Sequence, residues 1–323
     1  METPDEINWP DTQLIAHADA LRWALPREFG GDDLDSLELH LRYEQIARES
    51  LPLALILTQR DSAVGIIAAS ENIAARQNLL AEVRDGAFVT VGIAQLTTSR
   101  QGAQPALTLQ DGQARGFIPW VTAAPKAKYV IAGATTTNGQ VLFTLPTDSP
   151  SVTIGPPMPL VAMQSTWTCE ISCDGVELPQ SMLLAGPAPN VLSTRRKTVP
   201  LPQAFLALGH CRGAIDLIAQ HDSDRAQALR QRFEQQLSGL HDAVVAACRS
   251  HVNPASIPIL RGRCNELALR ITHSAVALFK GNALLLSHPA QRLARETMFL
   301  LVWSCPDPVI DCTIDLLSEE PMP

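Results

Sequence analysis

Few residues in this chain have types and spacing suited to chemistry, and two of them stand side by side. The stretch RETMFLLVWSCPDP (295–308) opens on the charge pair Arg295–Glu296 and runs through an apolar block. It stops at Ser304-Cys305, ahead of Pro306 and Pro308. A serine hydroxyl acts as nucleophile or base only when a neighbouring group takes its proton, and a cysteine needs an electropositive surrounding. Nothing adjacent in sequence supplies either. His210-Cys211 is a second candidate pair, but a lone histidine in an apolar helical run reads first as a satisfied core residue. Cys169 and Cys173 in TWTCEISC have the spacing of a metal pair. That stretch reads as a strand, where residues four apart merely share a face. No second pair or nearby histidine completes a tetrahedral set, so both are assigned to the core and no metal site is expected. Seven cysteines, an odd number scattered over 323 residues, argue against a disulfide framework.

These residues must be positioned by elements that the pattern already suggests. Asp35 with Glu38 has capping-box form, and Leu37, Leu41 and Ile46 recur at helical spacing. LPLALILTQRDSAVGIIAA and SENIAARQNLLAEVRDG continue the helical run to Gly86. The texture then changes to short apolar runs separated by Asp111-Gly112, Asn138-Gly139 and Asp174-Gly175, the strongest local hairpin signals. Residues 87–185 are therefore read as an antiparallel β-barrel or sandwich domain. A proline-rich linker, LPQSMLLAGPAPN, leads into long helices predicted at about 201–220, 225–250, 257–280 and 289–304. The expected organisation is an N-terminal helical domain (1–86), a middle β-domain (87–185) and a C-terminal helical bundle (186–323), an α+β multidomain chain.

The composition suits such a chain. A hydrophobic content of 46% with 18% charged residues is that of an ordinary globular protein. A net charge of −8 excludes a broad nucleic-acid-binding face. No apolar run in AVGIIAA or MFLLVW approaches a membrane span, and METPDEINWPD lacks the basic and apolar regions of a signal peptide. The expected location is cytoplasmic.

The α–β–α order, taken with several local motifs, resembles the acyl-CoA dehydrogenase family over nearly the whole chain. PREFGGDDLDSLELHLRYEQIARES is similar to its N-terminal segment, and VGIAQLTTSR lies where the family has its first flavin-contacting strand and loop. WVTAAPKAKY is similar to the family's W-I-T-N motif and is the most specific match. CDGVELP resembles the strand closing the β-domain, and KGNALLLSHPAQRLARE tracks the family's C-terminal Gly-Gly to Arg-Asp/Glu motif. The resemblance implies FAD as cofactor, an acyl-CoA or similar small-molecule substrate, and a homodimer or homotetramer. It implies that Trp120 packs beside the isoalloxazine and that Thr122 bonds near the flavin N5. Backbone groups of Ile93 and Ala94 would reach the pyrimidine edge, Ser99 would sit in the phosphate- or CoA-facing loop, and Gly281 belongs to the C-terminal glycine motif. Donors at these edges hold the negative charge of the reduced ring.

The departures are specific. Ala94 stands where threonine is common, Lys280 replaces one glycine of the Gly-Gly, and Ala277 replaces a glutamine that meets the neighbouring subunit's cofactor. The R-x-x-F-G arm that holds the pyrophosphate across the dimer has no counterpart after GAIDLIAQ. The family's base, a glutamate nine residues after the motif arginine, falls on Ser304, which a continuous helix would place on the same inward face as Leu293. The alternative base position used by some relatives falls on Val199. Of the replacements, Glu296 reads as structural, and His210 and Cys211 would serve only if they faced the substrate. The expected function is a divergent FAD-dependent oxidoreductase acting on a CH–CH bond of an acyl thioester. A flavin monooxygenase on the same fold and a non-catalytic binding or assembly member are the alternatives.

Overall fold

The computed structural model describes residues 8–98, 105–194, 201–249 and 253–318. Ser99 and Val199 lie outside the described residues. Two short helices, α1 (Asp11–Ala16) and α2 (Ala20–Trp23), precede α3 (Ser36–Glu49), α4 (Leu51–Ala68) and α5 (Ile73–Arg84). Each of the three longer helices starts on a polar cap. Asp35 accepts from the Leu37 and Glu38 amides, the Ser50 hydroxyl from Leu53, and the Asn72 side chain from Ala75. α4 is apolar on nearly every face because it is enclosed on nearly every face, between α3, α5 and the sheet. It is also long and apolar enough to cross a membrane by length and composition, which the expectation of no such run had missed, yet 72% of it is buried inside the fold.

The β-domain holds β1 (Val89–Gly92), a short helix α6 (Ala94–Thr98), β2 (Leu107–Gln110), β3 (Gln113–Val121), β4 (Tyr129–Thr136), β5 (Gly139–Pro146), β6 (Val152–Ile154), β7 (Cys169–Glu177) and β8 (Leu183–Ala188). Their order in the sheet is β6-β7-β3-β2-β4-β5-β8, with β1 on β4. The sheet is mixed rather than wholly antiparallel: β1 runs parallel to β4, and β2 meets β4 in parallel at Thr108 and Thr135. Asp111-Gly112 and Asn138-Gly139 do close hairpins. Asp174-Gly175 does not; it lies inside β7, where the register against β3 slips by a residue and Gly175 takes φ +73° as a bulge. The proline-rich linker also contributes a strand, since β8 pairs with β5. Along β5, Val141 and Phe143 enter the domain's inner core while Leu142 packs under α4 and α5. Period-2 alternation therefore serves two cores, which is why Val141, Leu142 and Phe143 are apolar in succession.

The C-terminal helices are α7 (Pro202–Ile218), α8 (Asp224–Arg249), α9 (Ser256–Phe279), α10 (Pro289–Val302) and α11 (Asp307–Ser318). The sequence pattern gave no sign of α11. The apolar stripes of α8 and α9, including Leu237, Val244, Leu267 and Ile271, are buried in one core shared with Trp23, Tyr43 and Leu53 of the N-terminal helices. α7 lies directly on α3. A β-carbon at Gly209 would stand 2.1 Å from the Glu44 carbonyl oxygen, and one at Gly213 2.3 Å from that of Arg48. Only glycine allows backbones so close. The crossing is then locked by ion pairs, Arg212 Nε to Glu44 at 2.8 Å and Arg48 to Asp216 at 2.6 and 2.9 Å.

Candidate functional site

The tryptophan–valine–threonine stretch lies at the end of β3, and its alternation sets its surfaces. Val121 is fully buried, whereas the Trp120 indole on the other face is 54% exposed. An exposed indole at a strand end is a flat apolar platform, and among the described residues no aromatic ring packs on it. Thr122 follows, buried. Its hydroxyl is 3.4 Å from that of Thr168, which is 2.9 Å from Thr166 Oγ1, and Thr166 donates to the Met163 carbonyl at 2.7 Å. Thr166 thus spends its proton at the far end, so Thr168 can donate to it. The Thr122 link is long enough to leave that hydroxyl available to another acceptor.

β1 brings the second stretch to the same edge. Thr90 Oγ1 donates to the Thr122 carbonyl at 2.8 Å, and a β-carbon on Gly92 would meet Ile118 at 2.9 Å and Val121 at 3.3 Å. Ile93 and Ala94 follow immediately, half-buried, as the chain turns into α6. The VGIAQL stretch is therefore a strand that gives way to a short helix, where the resemblance implied a strand and loop.

The hydroxyl chain also ties this edge to the helices. Ala162 and Met163, in the loop before β7, are buried in the helical core. Arg295 Nη1 donates to the Val161 carbonyl at 2.6 Å, fixing α10 against the same loop. Trp9 adds a second fastening, edge-on to Phe88 at 5.9 Å and tilted on Trp167 at 5.8 Å, with the Lys126 ammonium over both indoles. The motif edge of the β-domain thus lies where the sheet meets the helical body.

Ser304 departs from the helical expectation. α10 ends at Val302, and Ser304 sits in the turn before α11 with φ +51°, exposed, not on an inward helical face. The two fallback bases are withdrawn from any cavity. His210 is fully buried between α7 and α10, with Nε2 2.9 Å from the Leu293 carbonyl and 3.1 Å from Thr297 Oγ1. A carbonyl can only accept, so Nε2 carries the proton. Burial pushes the His210 pKa down against the pull of Glu296 and the Leu293 bond, which keeps the ring neutral. Glu296 is buried as well and takes the Arg292 guanidinium at 3.1 Å. Cys211 is enclosed, its thiol pushed well up by burial, and Cys169 and Cys173 are pushed up to about 11 for the same reason. All seven cysteines are free, and the described residues hold no cluster suited to a metal ion.

Gly281 lies exposed in a 3₁₀ turn (Lys280–Leu284) after α9, with open space where a side chain would stand. Lys280, at φ +54°, holds a backbone conformation that favours glycine. It borders a cleft of about 340 Å³ with His221, Ser223, Arg225, Ser274 and Ala277. Two cations, an imidazole and two hydroxyls make this a setting for an anion. Sequence reasoning named Lys280 and Ala277 but not His221 or Arg225, because the α7–α8 turn and the first turn of α8 that carry them have no motif of their own.

Helices, a mixed sheet with its motif edge against the helical body, and a closing helical bundle define an acyl-CoA dehydrogenase-like fold. In sequence the chain is similar to proteins named for that family: it is 24% identical over 310 residues to the protein named probable acyl-CoA dehydrogenase fadE25 of Mycobacterium leprae, covering 86% of this chain and 79% of the relative. It is 23% identical to FadE25 of Mycobacterium tuberculosis over 335 aligned residues, covering 94% and 86%. Butyryl-CoA dehydrogenase from Megasphaera elsdenii superposes with a TM-score of 0.78 at 17% identity, over 97% of this chain and 91% of that one. A nitrososynthase from Micromonospora carbonacea superposes with a TM-score of 0.74 at 19% identity, over 96% and 89%. No protein-family model matches the chain.

Proposed function

We propose that the protein is a flavin-dependent oxidoreductase of the acyl-CoA dehydrogenase type, holding FAD at the β3 edge and acting on a CH–CH bond of an acyl thioester or similar substrate. The observation that carries this reading is the 54% exposed Trp120 indole beside the buried Thr122 hydroxyl. It is an apolar plate with an adjacent donor, which suits a flat ring that gains negative charge on reduction. When bound, FAD supplies a hydride acceptor that no side chain can replace. Trp120 packs against the ring, Thr122 donates to it, and Ile93 and Ala94 offer backbone groups to its edge. Lys280 and Arg225 are the cations suited to the phosphates, on the face that the resemblance assigns to the neighbouring subunit's cofactor. Ser304 occupies the place of the proton-abstracting base and cannot fill that role unaided. Ordinary acyl-CoA dehydrogenation is therefore slow in the wild type.

The visible spectrum of the purified protein, with and without added FAD, tests the cofactor. Flavin bands support the reading. A colourless protein that gains no thermal stability at saturating FAD refutes it, since a ligand at a hundred times its Kd stabilises by about 2.7 kcal/mol.

The pair formed by Ser304 and the structural similarity to a nitrososynthase favours a second reading, oxygen activation at the flavin with no need of an α-proton base. Oxygen consumption in the reduced, FAD-loaded protein separates the two. We also propose a homodimer or homotetramer. The stripes on α8 and α9 are consumed within the chain, so assembly rests instead on exposed apolar side chains such as Leu284, Leu285, Val302, Ile314 and Leu317. Light scattering that shows only monomer at micromolar concentration contradicts this.

A further inference from the structure

The turn after α10 contains a second functional group, Cys305, and the fold gives it the neighbour that its sequence lacks. Cys305 is half-buried, and its thiol donates to the Leu300 carbonyl at 3.3 Å. The same carbonyl accepts from Arg261 Nη2 at 3.1 Å, so thiol and guanidinium converge on one oxygen. Arg261, on α9, is only 3% exposed and has no carboxylate partner among the described residues. Its Nε and Nη1 are buried without an acceptor. Burial lowers the Arg261 pKa, and interaction with Cys305 and then Cys264 holds it partly back. A buried guanidinium with donors to spare is costly unless an anion comes to meet it.

We propose that Cys305 is a site of reversible oxidation by hydroperoxides, with Arg261 receiving the sulfenate that forms. In the step, the sulfur lone pair attacks the distal peroxide oxygen, an S–O bond forms and the O–O bond breaks. Sulfur loses two electrons, the peroxide is reduced, and water or an alcohol leaves with the thiol proton. The new oxygen is an acceptor for the guanidinium donors that the reduced protein leaves unmatched. One thiol then condenses with the sulfenic acid, releasing water and forming a mixed disulfide, and a second thiol displaces it to restore the cysteine. Cys248 and Cys312 are the internal comparison: each is also half-buried, and among the described residues neither shares a carbonyl with an arginine as Cys305 does. The co-reactants are a hydroperoxide and a thiol reductant, neither of which involves flavin, so the inference stands apart from the flavin reading.

The test treats the full-length protein with graded hydrogen peroxide, traps sulfenic acid with dimedone and maps the adducts by peptide mass spectrometry. Cys305 is expected to label several-fold faster than Cys248 and Cys312, with labelling abolished by prior reduction. Arg261→Met should bring Cys305 down to the rate of Cys312. Equal labelling of the three cysteines in the wild type overturns the proposal. So does an unchanged Cys305 rate in a folded Arg261→Met protein. If that variant does not fold, the wild-type comparison decides alone, with Cys305→Ala identifying the adduct.

Discussion

Replacing Ser304 by glutamate places a carboxylate where the resemblance puts the family's base, and the structure limits what it can achieve. The backbone there is already left-handed at φ +51°, a conformation serine tolerates no better than glutamate, so the change adds little strain. The neighbours do not bury the new group: Val302 is 75% exposed, and Ser304 itself faces solvent in the single chain. An exposed glutamate keeps a pKa of about 4.3 and is ionised but weakly basic at neutral pH. A positioned base contributes about 10²–10⁴-fold, and a base this weak belongs at the lower end. Ser304→Glu should therefore raise acyl-CoA dehydrogenation by about 10²-fold, or about 2.7 kcal/mol of barrier. The assay is anaerobic bleaching of the flavin by acyl-CoAs of several chain lengths, with the rate followed against pH. A dependence on a group ionising near pH 4–5 is expected if the site stays open; a higher midpoint would mean that substrate or a second subunit encloses it. Rapid bleaching of the wild type refutes the reasoning, because another residue must then be the base. A folded, FAD-loaded Ser304→Glu protein that stays inert refutes it too, and favours the oxygen-activating or non-catalytic reading.

Gly209→Ala should destabilise by at least about 1–3 kcal/mol, because its β-carbon would press on the Glu44 backbone, whereas Gly239→Ala, with open space around it, should gain up to about 1 kcal/mol from helix propensity. Urea midpoints of the two variants check this, and equal effects would contradict the close helix crossing. The His241 pKa is raised, first by its bond to Glu44 at 3.3 Å and against desolvation. Its stabilisation is therefore fully present below the unfolded value of about 6.5 and is lost as pH rises through the higher folded value. The difference in Tm between wild type and His241→Gln should accordingly shrink from pH 6 towards alkaline pH. Lys280→Gly should relieve the left-handed strain, about 1 kcal/mol, yet weaken FAD more than riboflavin, which lacks the phosphates. Flavin fluorescence titrations measure both affinities, and equal losses would remove Lys280 from a phosphate site.

Much of the fold was legible because its signals are local. The cap at Asp35 and the hairpins at Asp111-Gly112 and Asn138-Gly139 depend on residues within a few positions of one another. Asp174-Gly175 carries the same dipeptide but pairs across to β3 on both sides, so the long-range ladder overrides the turn signal and leaves a bulge. β8 was hidden by its prolines and glycines, which an edge strand tolerates. α11 was hidden by its start at Asp307-Pro308, where proline is acceptable only because this is a first turn. The stripes on α8 and α9 were legible as apolar but not as to what they face. Periodicity identifies a buried side, not the chain that buries it.

The site was legible only where a motif is contiguous. Trp120 and Val121 are adjacent on one strand, so the exposed indole and the buried valine follow from alternation, whereas Thr122, just past the strand end, is buried by the loop carrying Thr166 and Thr168. The groups that decide the chemistry come from distant parts of the chain and answer to geometry. His210 read first as a core histidine and Glu296 as structural, and the packing of α7 on α10 agrees: both are buried, and the imidazole is bonded to a helix carbonyl. Cys305 looked inert until α9 brought Arg261 to the same carbonyl. Ser304 was placed on a helix face by counting, but the helix stops at Val302 because the chain must reverse into α11, and the serine is left in the turn. The scaffold thus leaves Ser304, the position that the resemblance assigns to the base, open and solvent-facing. With FAD held at the β3 edge as proposed, a hydroxyl at that position suits flavin chemistry in which proton abstraction is either slow or unnecessary.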